Sequence, residues 1–393
     1  MQPWPTYEKP KELLASLQVP KKLLLGPGPS NCPDRIRHAS SLSMLGHLHP
    51  EFLAIMDDVK RGLKYLFQTR NELTIAVSGS GHAGMEVAIM NVLEAGEKMM
   101  VLENGLWGAR ARGYAERIGI KVTSLKKQPG EVFTLKEIEE GLSRHSPVLL
   151  FVAHGETSTA VLQPIQGIGD LCRKYNCLLL VDTVASLGGV PFLMDEWGVD
   201  VAYSGSQKVL NCPTGASPIS FNDRARKKLE SRRTKVPSFY FDMNHLANYW
   251  GVHGGARNYH HTGLITNIYA LREGLSLLVE EGLEESWKKH QKNAEMLWEK
   301  LEKLGLELFV KETSYRLPTV TGVWVPSGVR WKKVVEYIMK KYRIEISGGL
   351  GPTAGKVWRI GLMGHNSTEQ NVEQVTATLQ DALQHSGHLK SSL

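Results

Sequence analysis

Leu178-Leu179-Leu180-Val181-Asp182, and then Ser204-Gly205-Ser206-Gln207-Lys208, whose lysine falls 26 residues after Asp182, decide how this chain is read. Residues 177–181 are continuously apolar, the pattern of a strand buried on both faces of a parallel sheet. Asp182 closes that strand at its C-terminal end, where open α/β sheets bind their ligands. Lys208 stands just past a second apolar strand, 199–203, among small residues that allow it to be dry. Desolvation lowers the pKa of an amine and keeps part of it neutral and nucleophilic. Taken singly, Asp182 reads as a helix cap and Lys208 as a solvated loop lysine.

Upstream, Gly79-Ser80-Gly81-His82-Ala83-Gly84 lies between an apolar run and a helical stretch. Glycines let a backbone approach an anion closely, and a helix N-terminus offers free N–H groups at the positive end of its dipole. The same residues satisfy G-x-G-x-x-G, with Glu103 falling 19 residues after Gly84. Alone they fit a nicotinamide dinucleotide, another phosphate ligand or a plain tight turn. Asp182 and Lys208 decide between these. Pyridoxal chemistry needs a neutral lysine amine, and a carboxylate that keeps the pyridine nitrogen protonated so that the ring can accept electrons.

The rest of the chain extends this frame. Strands are predicted at 73–77, 98–102, 148–152 and 218–221, with a helix over 84–93. Their alternation predicts an α/β fold with a mostly parallel sheet covered by helices. Residues 250–263 read as a Gly/His-rich loop, and a long helix starts near Ile265. Beyond it, a helix to 304, strands at 319–325, 344–346 and 356–362, and helices over 331–341 and 369–384 predict a smaller α/β domain. The expected division is an N-terminal arm, 1–22, a large cofactor-binding domain, 23–280, and a small C-terminal domain, 281–393.

Two further side chains carry chemistry. Trp107 follows the strand ending at Glu103, where its face can cover a ring, or simply pack in the core. Arg359 sits in the apolar strand 356–362, where a guanidinium is costly unless paired. An internal salt bridge or a substrate carboxylate, matched bidentately, would serve.

Composition excludes other classes. The chain is 42% hydrophobic and 22% charged, ordinary for a globular protein, and no apolar run is long enough for a membrane span. The net charge of +7 has its densest patch in Arg224, Arg226, Lys227, Lys228, Arg232, Arg233 and Lys235. With no interleaved aromatics or recognisable module, this reads as a solvated helix face rather than a nucleic-acid site. Cys32, Cys172, Cys177 and Cys212 form no metal-type pairs, so no metal is expected. A desulfurase on the same fold would need a mobile cysteine-bearing loop, and none is evident. Ser391-Ser392-Leu393 is similar to the S-K-L peroxisomal address without its basic middle residue; a cytosolic or mitochondrial location is the alternative.

Gly26-Pro27-Gly28-Pro29-Ser30, His154-Gly155-Glu156, Val181-Asp182-Thr183-Val184-Ala185-Ser186, Tyr259-His260-His261-Thr262 and the 348–352 turn complete a set spread over residues 20–385. In this set the chain resembles the alanine–glyoxylate (serine–pyruvate) aminotransferases of fold type I, with the insect 3-hydroxykynurenine transaminases as close relatives. The resemblance implies that pyridoxal 5'-phosphate is held by Lys208 as a Schiff base, with Lys208 also moving the proton. It implies Asp182 at the pyridine nitrogen, Trp107 and Val184 on opposite ring faces, and Thr157 at the ring oxygen. Ser80, Gly81, His82 and Gln207 would hold the phosphate, with Tyr259 and Thr262 reaching it from a second subunit of a homodimer. Arg359, Gly28, Gly46 and His47 would border the substrate.

Two departures stand out. Thr157 replaces the usual serine and keeps its hydroxyl. Cys212-Pro213-Thr214-Gly215 replaces a proline pair followed by glycine, which predicts a looser loop after Lys208. The expected reaction moves an amino group from alanine or serine to glyoxylate or pyruvate in two half-reactions. The insect kynurenine enzymes carry Ser-Asn-Phe where this chain has Gly46-His47-Leu48. Without that aromatic, hydroxyl and amide, a small substrate fits better than 3-hydroxykynurenine. A nicotinamide dehydrogenase built on the 79–84 turn is the alternative of another class.

Overall fold

A computed structural model describes residues 7–389, so the Ser391-Ser392-Leu393 tail and the first six residues of the N-terminal arm lie outside the described residues. Seven strands form the main sheet, in the order Leu73–Ser78, Ala216–Phe221, Val201–Tyr203, Leu178–Asp182, Leu149–Ala153, Lys98–Glu103, Lys121–Lys126. All neighbours run parallel except Ala216–Phe221, which is antiparallel to both strands it separates. The three central parallel strands are buried along almost their whole length, as their unbroken Leu/Val runs require. Lys121–Lys126 escaped the sequence reading because it is a half-exposed edge strand of mixed polarity, with a lysine at each end.

The antiparallel insertion carries Pro218, which lacks an N–H for the ladder. Ser204 donates its N–H to Pro218 O, and its own carbonyl takes the Ser217 hydroxyl at 2.7 Å. A neighbouring hydroxyl thus stands in for the missing donor beside the loop that leads to Lys208. The loop is not slack. Asn211, in the left-handed region, donates to Ser30 Oγ at 2.7 Å and Met363 O at 3.1 Å, and Cys212 Sγ is buried against Leu210 O and Ala270 O. These bonds replace the rigidity that a second proline would have supplied.

The helix Gly81–Val92 packs close behind the sheet. A Cβ on Gly84 would lie 2.3 Å from Ser217 Oγ, so only glycine permits the approach. The 79–84 turn follows an edge strand, next to an antiparallel neighbour. A dinucleotide fold puts this turn after a central parallel strand, at the point where strand order reverses.

The small domain is a three-stranded antiparallel sheet, Val320–Trp324, Val357–Gly361 and Ser347–Gly348, with helices Leu283–Lys303, Trp331–Tyr342 and Glu369–His385 against it. Leu23–Leu24 pairs in parallel with Ile344–Glu345, and fully buried Leu25 belongs to the same core. The chain therefore passes through the small domain before its Gly26–Ser30 turn reaches Lys208.

Three of the seven residues of the basic stretch are structural rather than merely solvated. Arg224 pairs with buried Asp200 at 2.9 Å and donates to Cys177 O, and Lys228 meets Glu97. Arg232 caps the last carbonyls of the Gly81–Val92 helix region, at Met90, Asn91 and Leu93.

Candidate active site

The C-terminal ends of the parallel strands open into a cleft lined by Ser80, Gly81, His82, Trp107, Thr157, Asp182, Val184, Gln207 and Lys208, with Met85, Gly155 and Ala185. Asp182 is at its floor, only 4% exposed. The Tyr203 hydroxyl donates to Oδ2 at 2.6 Å and the Val184 N–H to Oδ1 at 2.8 Å, which fixes the carboxylate's direction. Burial pushes Asp182 up to about 6, against the pull of those two donors and of Lys208.

Lys208 Nζ donates to Pro27 O. Burial lowers its amine to about 8, the Arg359 charge adds to this, and Asp182 and Glu345 oppose it. About a tenth of the amine is then neutral at pH 7, against under a thousandth for an ordinary lysine. Gly28, at φ +100°, faces Lys208 so closely that a Cβ would fall 2.5 Å from Cδ. Ser30 Oγ donates to Lys208 O at 2.6 Å, which ties the Gly26–Ser30 turn to the lysine's own backbone.

Trp107 forms one wall. Its indole N–H donates to Thr157 Oγ1 at 2.7 Å, and its backbone N–H to Glu156 Oε2 at 2.9 Å. Because Thr157 Oγ1 accepts from the indole, its own proton is free to point into the cleft. Glu156 is fully buried, and its other oxygen takes both the N–H and the hydroxyl of Ser158. Burial raises it to about 7, the Ser158 and Trp107 donors oppose this, and the Asp182 charge adds to it.

Arg359, 7% exposed, lies in the middle of the small domain's central strand, opposite Gly322 and Ser347. Its Nε donates to Gly348 O at 2.9 Å and its Nη1 to Thr157 O at 3.2 Å. Among the described residues no carboxylate pairs with it within 4 Å, so the internal salt bridge foreseen as one alternative is not there. Burial lowers it to about 10, with Glu156 opposing. The remaining guanidinium N–H groups are left for an incoming acid.

Six of the expected site residues are not part of this lining: Gly28 and Arg359 adjoin it through Lys208 and Thr157, and the other four lie apart. Gly46 and His47 lie on a partly exposed turn, and Tyr259 (57% exposed) and Thr262 on an exposed loop. His47 and Tyr259 meet each other instead, with their rings 4.8 Å apart, and Tyr249 donates to His47 O. Conversely, Tyr203, Glu156 and Pro27 act at the cleft and were missed as site residues. Tyr203 reads as one more apolar strand residue, and Pro27 contributes a carbonyl, which no side-chain pattern reveals.

The cleft fits a phosphorylated aromatic cofactor. The Gly81–Val92 helix begins here with no side chain capping it, so its first N–H groups are available to an anion. Gln207 Oε1 is buried with no partner among the described residues, and the Nε2 end of the same amide is the group that can donate to a phosphate. A Cβ at Gly81 would lie 2.7 Å from Val184 Cγ2, so glycine keeps this passage open.

The class-V aminotransferase family profile matches residues 36–375. The chain belongs to the class-V aminotransferases. It is similar to the alanine–glyoxylate aminotransferase of Callithrix jacchus, with 56% identity over 96% of this chain and 91% of that one. Among solved structures, the alanine–glyoxylate aminotransferase of Nostoc sp. superposes with a TM-score of 0.93 at 49% identity, covering 96% of this chain and 100% of that one. The ureidoglycine–glyoxylate aminotransferase of Bacillus subtilis gives a TM-score of 0.93 at 34% identity, over 96% and 97%. This family and fold type generally use pyridoxal phosphate, and membership excludes the nicotinamide dehydrogenase reading.

Proposed function

We propose that this aminotransferase binds pyridoxal 5'-phosphate on Lys208 and moves the amino group of alanine or serine to glyoxylate or pyruvate. The observation that carries the reading is the dry cleft in which a lowered-pKa lysine and an oriented carboxylate stand at neighbouring strand ends, with an unpaired arginine beside them. The names of the relatives at 49–56% identity support the choice of substrates.

When bound, the cofactor supplies an electrophilic carbon for the substrate amine and a ring that accepts the electron pair left by the departing α-proton. Ser80, Gly81, His82 and Gln207 hold its phosphate end, and Asp182 favours a protonated ring nitrogen. Trp107 and Val184 confine the ring, and the Thr157 hydroxyl is free to donate to its oxygen. Arg359 binds the substrate carboxylate and thereby orients the α-carbon toward Lys208 Nζ. Lys208 Nζ, neutral in part because it is dry, takes the α-proton and returns it on the other side of the reaction. In the second half-reaction the same groups act in reverse order on the keto acid.

Tyr259 and Thr262, exposed and outside the lining of their own cleft, are proposed to complete the phosphate site of a second subunit in a homodimer. Substrate choice is tested by kcat/KM for alanine against 3-hydroxykynurenine with glyoxylate as common acceptor. A preference for alanine is expected; a clear preference for the kynurenine overturns the substrate assignment and leaves the aminotransferase in place.

A further inference from the structure

Beside the cleft stands one charge that the mechanism does not use. Glu345 precedes the Ser347–Gly348 strand, and among the described residues only the Ser347 hydroxyl, at 3.3 Å, is bonded to its carboxylate. Among the described residues no lysine, arginine or histidine pairs with it within 4 Å. It is nevertheless fixed in place. The Leu24–Glu345 strand pairing and the Leu25 N–H on Glu345 O hold its backbone, and its Oε1 crowds Gly26, where a Cβ would approach to 2.8 Å.

Gly26 leads directly into Pro27, whose carbonyl takes Lys208 Nζ, and Gly28, which abuts the same lysine. Ser347, which holds the Glu345 carboxylate, is the cross-strand partner of Arg359. Glu345 therefore presents a negative charge against the turn that touches the reacting lysine, two residues before Ser347, the cross-strand partner of the carboxylate-binding arginine. Its field reaches the Lys208 amine, where it opposes the effect of burial.

We propose that Glu345 is a specificity-determining residue that excludes substrates carrying a second carboxylate. The inference rests on the aminotransferase reading above. A monocarboxylate places its one charge on Arg359. The distal carboxylate of a four- or five-carbon diacid has no further cation: among the described residues lining the cleft, Lys208 is the sole lysine or arginine, and it is engaged in the chemistry. The diacid meets Glu345 instead, in a partly dry site where like charges are poorly screened.

The test compares 2-oxoglutarate with 2-oxopentanoate, which has the same chain length and no second carboxylate, as acceptors for the holoenzyme with alanine as donor. Glu345→Gln is expected to raise the ratio of their kcat/KM values about tenfold. In the native holoenzyme the ratio is expected to rise as salt is added, because salt weakens repulsion; this arm needs no variant. An unchanged ratio in the variant, or a ratio that falls with salt, overturns the proposal. So does an equal gain for both acids, which would mean relief of crowding rather than of charge. If the variant instead loses alanine turnover at an unchanged ratio, Glu345 anchors the substrate ammonium and the proposal is wrong. Native holoenzyme that fails to turn over alanine and glyoxylate would break the functional reading itself, a result distinct from all of these.

Discussion

The floor of the cleft and the His47–Tyr259 surface both gather polar and aromatic side chains, in opposite surroundings. Asp182 and Arg359 are 4% and 7% exposed, and with Lys208 and Glu156 they all titrate away from their ordinary values because water is excluded. Tyr259 is 57% exposed and touches His47 rather than the cleft. A charge or donor in the dry group acts at full strength on whatever enters, and its loss leaves its partners buried and unpaired. A side chain in the wet group has water as a ready substitute unless a second subunit covers it.

This contrast ranks the expected effects of substitution. Asp182→Asn keeps the shape and removes the charge, so kcat should fall by about 10²–10³, the scale of losing one preorganised electrostatic contact in a dry site. Cofactor binding, read from visible absorbance, should survive in part. Near-normal turnover would show that the floor is not the electrostatic centre. Arg359→Leu should weaken amino-acid and keto-acid substrates alike by about 10- to 100-fold, from losing a charge-assisted bond. Damage to one half-reaction alone would assign the arginine another task.

The lysine's burial is tested by pH. A depressed amine pKa means that the reactive neutral form gains population as pH rises and saturates above about 8. The rate at which apoprotein captures pyridoxal phosphate should therefore climb about tenfold from pH 7 and level off near pH 9. A rate that keeps climbing past pH 10 would mean a solvated lysine. The smallest effect belongs to the wet group. Tyr259→Phe should lower cofactor affinity by about fivefold, the size of one neutral hydrogen bond, and only where the protein is associated. Full affinity in a dilute monomer would remove the shared-site element and leave the cleft untouched.

The same contrast explains what was legible in the sequence. Buried parallel strands announce themselves by unbroken Leu/Val runs, and Asp182 at the end of such a run, an ordinary helix cap on its own, became legible as a site residue only together with Lys208 and the 79–84 turn. Arg359 was legible as a guanidinium inside Val357–Gly361. The edge strand Lys121–Lys126 and the two-residue Leu23–Leu24 strand lack the length or periodicity to be seen. The antiparallel direction of Ala216–Phe221 depends on where the chain returns, which no local pattern encodes. Glu156 was quoted only as part of a motif; its role as an acceptor for Trp107 and Ser158 arises from contacts made after folding. The basic stretch misled because its partners, Asp200, Glu97 and three helix-end carbonyls, are distant in sequence.

The central claim is that the dry lysine of the cleft carries the cofactor, and covalent trapping tests it most directly. Holoenzyme is reduced with borohydride, digested, and the phosphopyridoxyl-bearing peptide sequenced by mass spectrometry. The account predicts a single stoichiometric tag on Lys208, absent from Lys208→Ala. A tag on any other lysine, or one that persists in that variant, would contradict it.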